Sequence, residues 1–425
     1  MTVDRPRREP CGEPRRRPRP RAAAAAVTAS LLLGGCSAGG GGAAAGGAPE
    51  LTIWTDQLKY EAVLAVAEQF GEEQGIEVEV EAVSSELQSA FVTANAAGNG
   101  PDVVVGAHDW IGNLVQNGAI EALPLNPEEL SAYDETAIEA TTYAGQLYGV
   151  PYGAEAVALY RNTDVVPEEP ATLDAAIAAG RRAVAEGQVE SALNLPVGQE
   201  GDAYHMEALL TSGGGYLFGT DEEGYDAADL GIGQPGSLAA AERIGELGER
   251  GEGVLRRSIS GDNAIALFAA GDAAFLISGP WALADLEGAG LPYAVQPVPP
   301  FEGADPAVPF MGAQAFMVAA NGENKAYAQE FVTRGVNNEE AMTTLYDLAG
   351  LPPAMLSVAE AVAAEDPTVE VFTQAYQGGA PMPALPAMAA VWEPLGQAYS
   401  AIVGGADPAA TMRTAGETIS SAIGD

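Results

Sequence analysis

The chain is predicted to be α/β, doubly wound and divided into two lobes, and two observations carry this: its length, and an alternation of strand and helix patterns that begins at Leu51. At 425 residues it exceeds the roughly 250 to 300 residues at which a single core stops growing, so two lobes are expected. With 47% hydrophobic and 18% charged residues, it has the profile of a globular protein, with enough apolar material to fill both lobes.

The front of the chain reads as an address. RRRPRPR is followed by an apolar stretch from Ala22 to Gly35 that is too short to span a bilayer, and then by Leu33-Gly34-Gly35-Cys36. Basic end, apolar centre and small residues before the cut are the order of a signal peptide, here 1–35. LGGC resembles the lipobox of bacterial lipoproteins, which implies that Cys36 receives lipid and becomes the first mature residue. Cys11 then leaves with the signal, so neither a disulfide nor a thiol nucleophile is expected. Residues 36–49 are rich in Gly and Ala and read as a flexible tether. No later stretch offers 18 unbroken apolar residues, so no further span is expected.

Leu51 to Trp54 is predicted as the first strand. Val63, Val66, Ala67 and Phe70 recur at helical spacing behind it, and VEVEAV then alternates Val78, Val80 and Ala82 with three glutamates. A second helix is expected to place Leu87, Ala90, Phe91 and Ala94 in register. It leads to Asp102–Gly106, whose Val103, Val104 and Val105 in a row suit a strand covered by helices on both faces of a parallel sheet. Open sheets of this kind bind ligands beyond the carboxyl ends of their strands. Those ends hold Trp54-Thr55-Asp56, Ala107-His108-Asp109-Trp110 and, after the apolar run Ala273 to Ser278, Gly279-Pro280-Trp281. Carboxylates accept hydrogen bonds from hydroxyls and an indole packs on the C–H face of a pyranose, so the recurring pair suits a neutral sugar.

The formal net charge of −40 conceals a front of eight Arg within 1–35, so the rest is more acidic still. Such a surface argues against nucleic acid as a partner, because phosphates require Lys and Arg. Two histidines far apart in sequence and no mature cysteine exclude a His-rich transition-metal site, and no cofactor is expected. DEEGYDAAD lacks the alternating Asp positions of a calcium loop and reads as a solvated hairpin. Two other functional classes compete with the sugar reading. Trp with Asp also makes a box for a polyamine or quaternary amine, and Asp109 with Glu155 could be imagined as a hydrolase pair, although no catalytic motif demands it.

Seven segments in register, LTIWTD, GPDVVVGAHDW, LYGVPYGAEAVALYRN, GGGYLFG with YDAADLGI, SGPWALADL, PFMGAQAFMVAA and MPALPAMAAVWEPL, resemble the extracellular maltose and maltodextrin-binding proteins of ABC importers. The resemblance runs along residues 50 to 425. It implies a periplasmic-binding-protein-like fold in which a hinge joins two lobes, 50–154 plus 316–362 and 158–311 plus 366–425, around a ligand cleft. It also implies a monomer that hands sugar to ABC permease subunits at the outer face of the cell membrane, held there through Cys36. Carried over by position, Asp109 and Glu155 bond sugar hydroxyls, Trp281, Trp392 and Tyr204 stack on rings, Asp202 is a nearby acid, and Asp56 or Gln57 touches the first sugar. Trp110 and Gly396 stand where the best-known member has hydrogen-bonding arginines, and Glu86 and Gln88 where it has lysine and glutamate. These departures exchange polar contacts for one aromatic face, that of Trp110 as a ligand-binding residue; they leave malto-oligosaccharide, cyclodextrin and trehalose open, and Trp110 and Gly396 could fit a longer, bulkier or differently linked glucan.

Overall fold

Leu51 and Ile53 alternate inward along the strand Glu50–Thr55 and are fully buried. Their parallel neighbour Glu77–Ala82 pairs Leu51 with Val78 and Ile53 with Val80 and turns its glutamates to solvent, as befits an edge strand. The computed structural model describes residues 50–83, 86–221, 224–377 and 380–424. The signal peptide 1–35, Cys36 and the tether 36–49 lie outside these residues. Among the described residues no helix is long and apolar enough to cross a membrane.

The first sheet runs in the order Ala380–Pro381, Phe310–Val318, Val103–Ala107, Glu50–Thr55 and Glu77–Ala82, with Val150–Glu155 also paired to Phe310–Val318. Val103 and Val105 enter one apolar cluster and Val104 another on the opposite face. Helix Tyr60–Gln74 covers one face with Ala62, Val63, Val66, Ala67 and Phe70. Helix Leu87–Ala97 covers the other, and its buried stripe is Leu87, Phe91 and Asn95, while Ala90 and Ala94 are only half-buried.

The second sheet is ordered Tyr293–Pro297, Ala158–Asn162, Ala273–Ser278 and Ser191–Asn194. It too is covered on both faces, with Phe275 and Ile277 packed on one side and Leu276 on the other. The expectation of parallel sheets needs correction. Phe310–Val318 runs antiparallel to Val103–Ala107, and Ala158–Asn162 runs antiparallel to both its neighbours. The physical reason is how the chain arrives. Ala158–Asn162 follows Val150–Glu155 of the other sheet after only Ala156 and Val157, so no helical crossover within its own sheet sets its direction. The segment read as a solvated hairpin is one, with Phe218–Asp221 antiparallel to Gly224–Leu230. Glu222 and Glu223 of that segment lie outside the described residues.

A candidate site of buried carboxyls and an aromatic row

The strand Val103–Ala107 ends in a single helical turn, His108–Trp110, that aims its side chains in different directions. His108 is fully buried. The Ala313 N–H donates to its Nδ1 at 3.0 Å, so the ring proton sits on Nε2 and donates to the Met382 carbonyl at 2.9 Å. Burial pushes its pKa down to about 4, which keeps the ring neutral and makes it a brace between three segments. Asp109, only 6% exposed, accepts from the Trp392 indole N–H, and burial pushes its carboxyl up to about 7.

Glu155 closes the strand Val150–Glu155 and is also buried. Gln314 Nε2 donates to its Oε1 at 3.0 Å. Its pKa is raised, first by burial, while the Gln314 bond and the charges of Lys59 and His205 pull it back down. Beside it, Asp56 folds over its own turn: Oδ1 accepts from the Leu58 and Lys59 N–H groups at 3.0 and 3.2 Å, and Oδ2 pairs with the Lys59 ammonium. Gln57 is exposed on the same turn, with no side-chain partner among the described residues.

Asp202 caps the helix Ala203–Ser212, accepting from the His205 N–H at 3.0 Å, and its second oxygen meets His205 Nδ1 at 2.7 Å. Since a carboxylate only accepts, Nδ1 must carry the proton. Asp202 thus fixes the first turn of that helix and the ring beside Tyr204. The aromatic row starts there. Trp281 lies 6.0 Å from His205 and 6.2 Å from Tyr204, Tyr204 stacks on Phe310 at 6.3 Å, and Phe310 meets Trp392 edge-on at 5.8 Å. Burial, then the charges of Glu155, Asp202 and Asp109, raise the pKa of the Tyr204 phenol, so the three carboxyls lie within its electrostatic reach.

Several polar atoms here are buried without a hydrogen-bond partner among the described residues: the hydroxyls of Tyr204, Tyr152 and Thr55 and the amide oxygen of Gln314. Buried polar atoms are paired in the great majority of cases, so these are exceptions to the usual pairing. Among the described residues no group of His, Cys, Asp or Glu is arranged to hold a metal.

Two residues singled out from sequence stand apart. Trp110 lies over Gly106, where an added Cβ would come within 2.1 Å of its ring, and packs against the cluster of Leu87, Phe91 and Ile111 rather than the aromatic row. Gly396 is buried against Gly201, with an added Cβ 3.2 Å from the Gly201 carbonyl carbon. An added Cβ at Gly201, whose φ is +95°, would fall 1.8 Å from the Gly396 carbonyl oxygen, so two glycine backbones fill that space. Phe310, His205, Lys59 and Gln314 were not among the residues singled out. Only position could have flagged them: His205 adjoins Tyr204, while Phe310 and Gln314 fall within the quoted segment PFMGAQAFMVAA.

Carboxyls and aromatic rings gathered beyond the ends of strands from two sheets define a protein that holds a small solute. The chain belongs to the family of bacterial extracellular solute-binding proteins, whose pattern it matches over residues 65–371. It is 28% identical to the galactooligosaccharide-binding protein of Bacillus subtilis (strain 168), across 87% of this chain and 88% of that one. It is 27% identical to maltodextrin-binding protein MdxE of the same organism, across 81% and 83%. A maltooligosaccharide ABC transporter solute-binding lipoprotein of Streptococcus pneumoniae (strain ATCC BAA-255 / R6) is 26% identical, across 81% and 82%.

Proposed function

We propose that this protein is the extracellular binding component of an ABC importer, that it captures a malto-oligosaccharide or related sugar, and that it catalyses no reaction on it. The observation that carries the reading is the aromatic row from Trp281 to Trp392 running beside Asp109 and Glu155, with unpartnered polar atoms between. Rings give flat apolar surfaces for the C–H faces of pyranoses, and the polar atoms give acceptors and donors for their hydroxyls. The names of the relatives point to the same ligand class.

On this reading the two sheets are two lobes, 50–154 plus 316–362 and 158–311 plus 366–425, which close on the sugar about a hinge. Support comes from the short link of Ala156 and Val157 between the sheets. Lipid on Cys36 would hold the protein at the outer face of the membrane within reach of the permease. A cationic solute fits less well. Lys59 already brings positive charge to Glu155, and Asp109, pushed up to about 7, holds part of its population uncharged. Calorimetric titration of the full-length protein with maltotriose, galactotriose and spermidine is the test. Heat of binding from a sugar and none from the polyamine is expected, and the reverse result would overturn the reading.

A further inference from the structure

A cavity of about 410 Å³ opens behind Phe310, the ring that links Tyr204 to Trp392. Its walls are mainly apolar and include Leu217, Phe218 and Tyr225 of the hairpin region and Val308 and Pro309 of the approach to the strand Phe310–Val318. The Tyr225 hydroxyl donates to the Pro381 carbonyl at 2.8 Å, which holds one wall in place. Two carboxyl residues line it, the exposed Asp305 and the buried Glu207. Glu207 lies on the helix Ala203–Ser212, three residues after Tyr204 and therefore on the same side. It is 4% exposed, and its Oε2 is buried with no hydrogen-bond partner among the described residues. The Tyr399 hydroxyl, within its electrostatic reach, is buried and unpartnered in the same sense. A carboxyl that served only the core would be paired.

We propose that this cavity is a further sugar subsite, continuous with the aromatic row past Phe310, in which Glu207 bonds a ring hydroxyl, so that the ligand is an oligosaccharide longer than a disaccharide. The inference rests on the sugar-binding reading and adds chain length to it. Burial pushes the Glu207 carboxyl up to about 8, so at neutral pH it is mostly uncharged and both donates and accepts. This matches hydroxyls, which do the same, and disfavours a cation. Tyr225 and Phe218 supply faces for the ring, and the volume falls within the range of sites that hold small ligands.

The test is calorimetry of the full-length protein and of Glu207→Leu with maltose, maltotetraose, galactobiose and galactotetraose. Leu replaces a buried, unpaired carboxyl with an apolar group and is not expected to impair folding. Affinity for the tetrasaccharide that binds should fall about three- to tenfold in Glu207→Leu, the loss of one hydrogen bond, while its disaccharide binds as before. Thr220→Trp, on an exposed part of the cavity wall, should narrow the same difference by filling the space. Equal losses for both lengths would make Glu207 a structural residue and overturn the proposal. No loss in either variant would also overturn it, while leaving the sugar site itself standing. Wild-type protein that binds none of the four sugars would bring down both readings.

Discussion

Asp109→Asn isolates the ionisation of a buried carboxyl at the centre of the site. In the unfolded chain Asp109 ionises near 3.8, and in the folded protein burial holds it protonated up to about 7. The folded state therefore binds the extra proton between those values, and stability falls as pH rises through that window. At 1.36 kcal/mol per pKa unit, the penalty from this group grows by about 3 kcal/mol between pH 5 and pH 8. Asn cannot ionise, so the variant should gain about 3 kcal/mol relative to wild type over that interval. His108, Glu155 and Glu207 titrate in both proteins, so comparing the two cancels their contributions to first order. Urea unfolding of both at pH 5 and pH 8 reads the difference directly. Binding carries the converse sign. Sugar hydroxyls that donate to the carboxylate stabilise its charged form, so wild-type affinity should rise with pH through 7 and that of Asp109→Asn should not. Parallel pH dependences in the two proteins, for both stability and affinity, would show that Asp109 is not held protonated and refute the reasoning.

The two glycine–tryptophan pairs give a contrast. An added Cβ at Gly279 would lie 2.0 Å from the Trp281 ring and one at Gly106 2.1 Å from Trp110, so Gly279→Ala should lower sugar affinity about as far as Trp281→Ala, on the order of 1 to 3 kcal/mol. Gly106→Ala should instead lower the melting temperature with little change in affinity, and calorimetry beside thermal unfolding separates the outcomes. Gly396→Arg should lower stability by about 1 to 3 kcal/mol or more, because Gly201 fills its space, and should add no ligand contact; a gain in affinity would place the site differently. Cys36→Ala should abolish lipid attachment, read by mass spectrometry of the mature amino terminus in the native host.

What was legible in the sequence was whatever repeats with a period or sits at the end of one. Val103, Val104 and Val105 announced a strand covered on both faces, and the residues behind that strand and behind Ala273–Ser278 led to Asp109 and Trp281. Strand direction was not legible, because it depends on where the chain comes from rather than on side-chain pattern. Ala158–Asn162 looks like any buried strand, yet it enters its sheet from the other one. Trp110 illustrates a second limit. A tryptophan three residues past a strand end can turn to either face, and the choice depends on contacts with Leu87 and Phe91, which are distant in sequence. Position near a strand end therefore singles out a loop but does not fix the direction in which each of its side chains points.

Glycines set how closely these elements approach one another. Gly279 and Gly106 each admit an indole against bare backbone, and Gly201 and Gly396 admit each other. In each case a missing side chain lets one element approach another closely. At Gly279 the guest is an aromatic of the row, so the glycine sets the depth at which Trp281 lies. At Gly396 the guest is backbone, so the helix Trp392–Val403 is drawn against the loop that ends in Asp202. Asp202 caps the helix carrying Tyr204 and His205, while Trp392 starts the helix that holds Gly396. One glycine contact thus fixes the distance between two ends of the aromatic row.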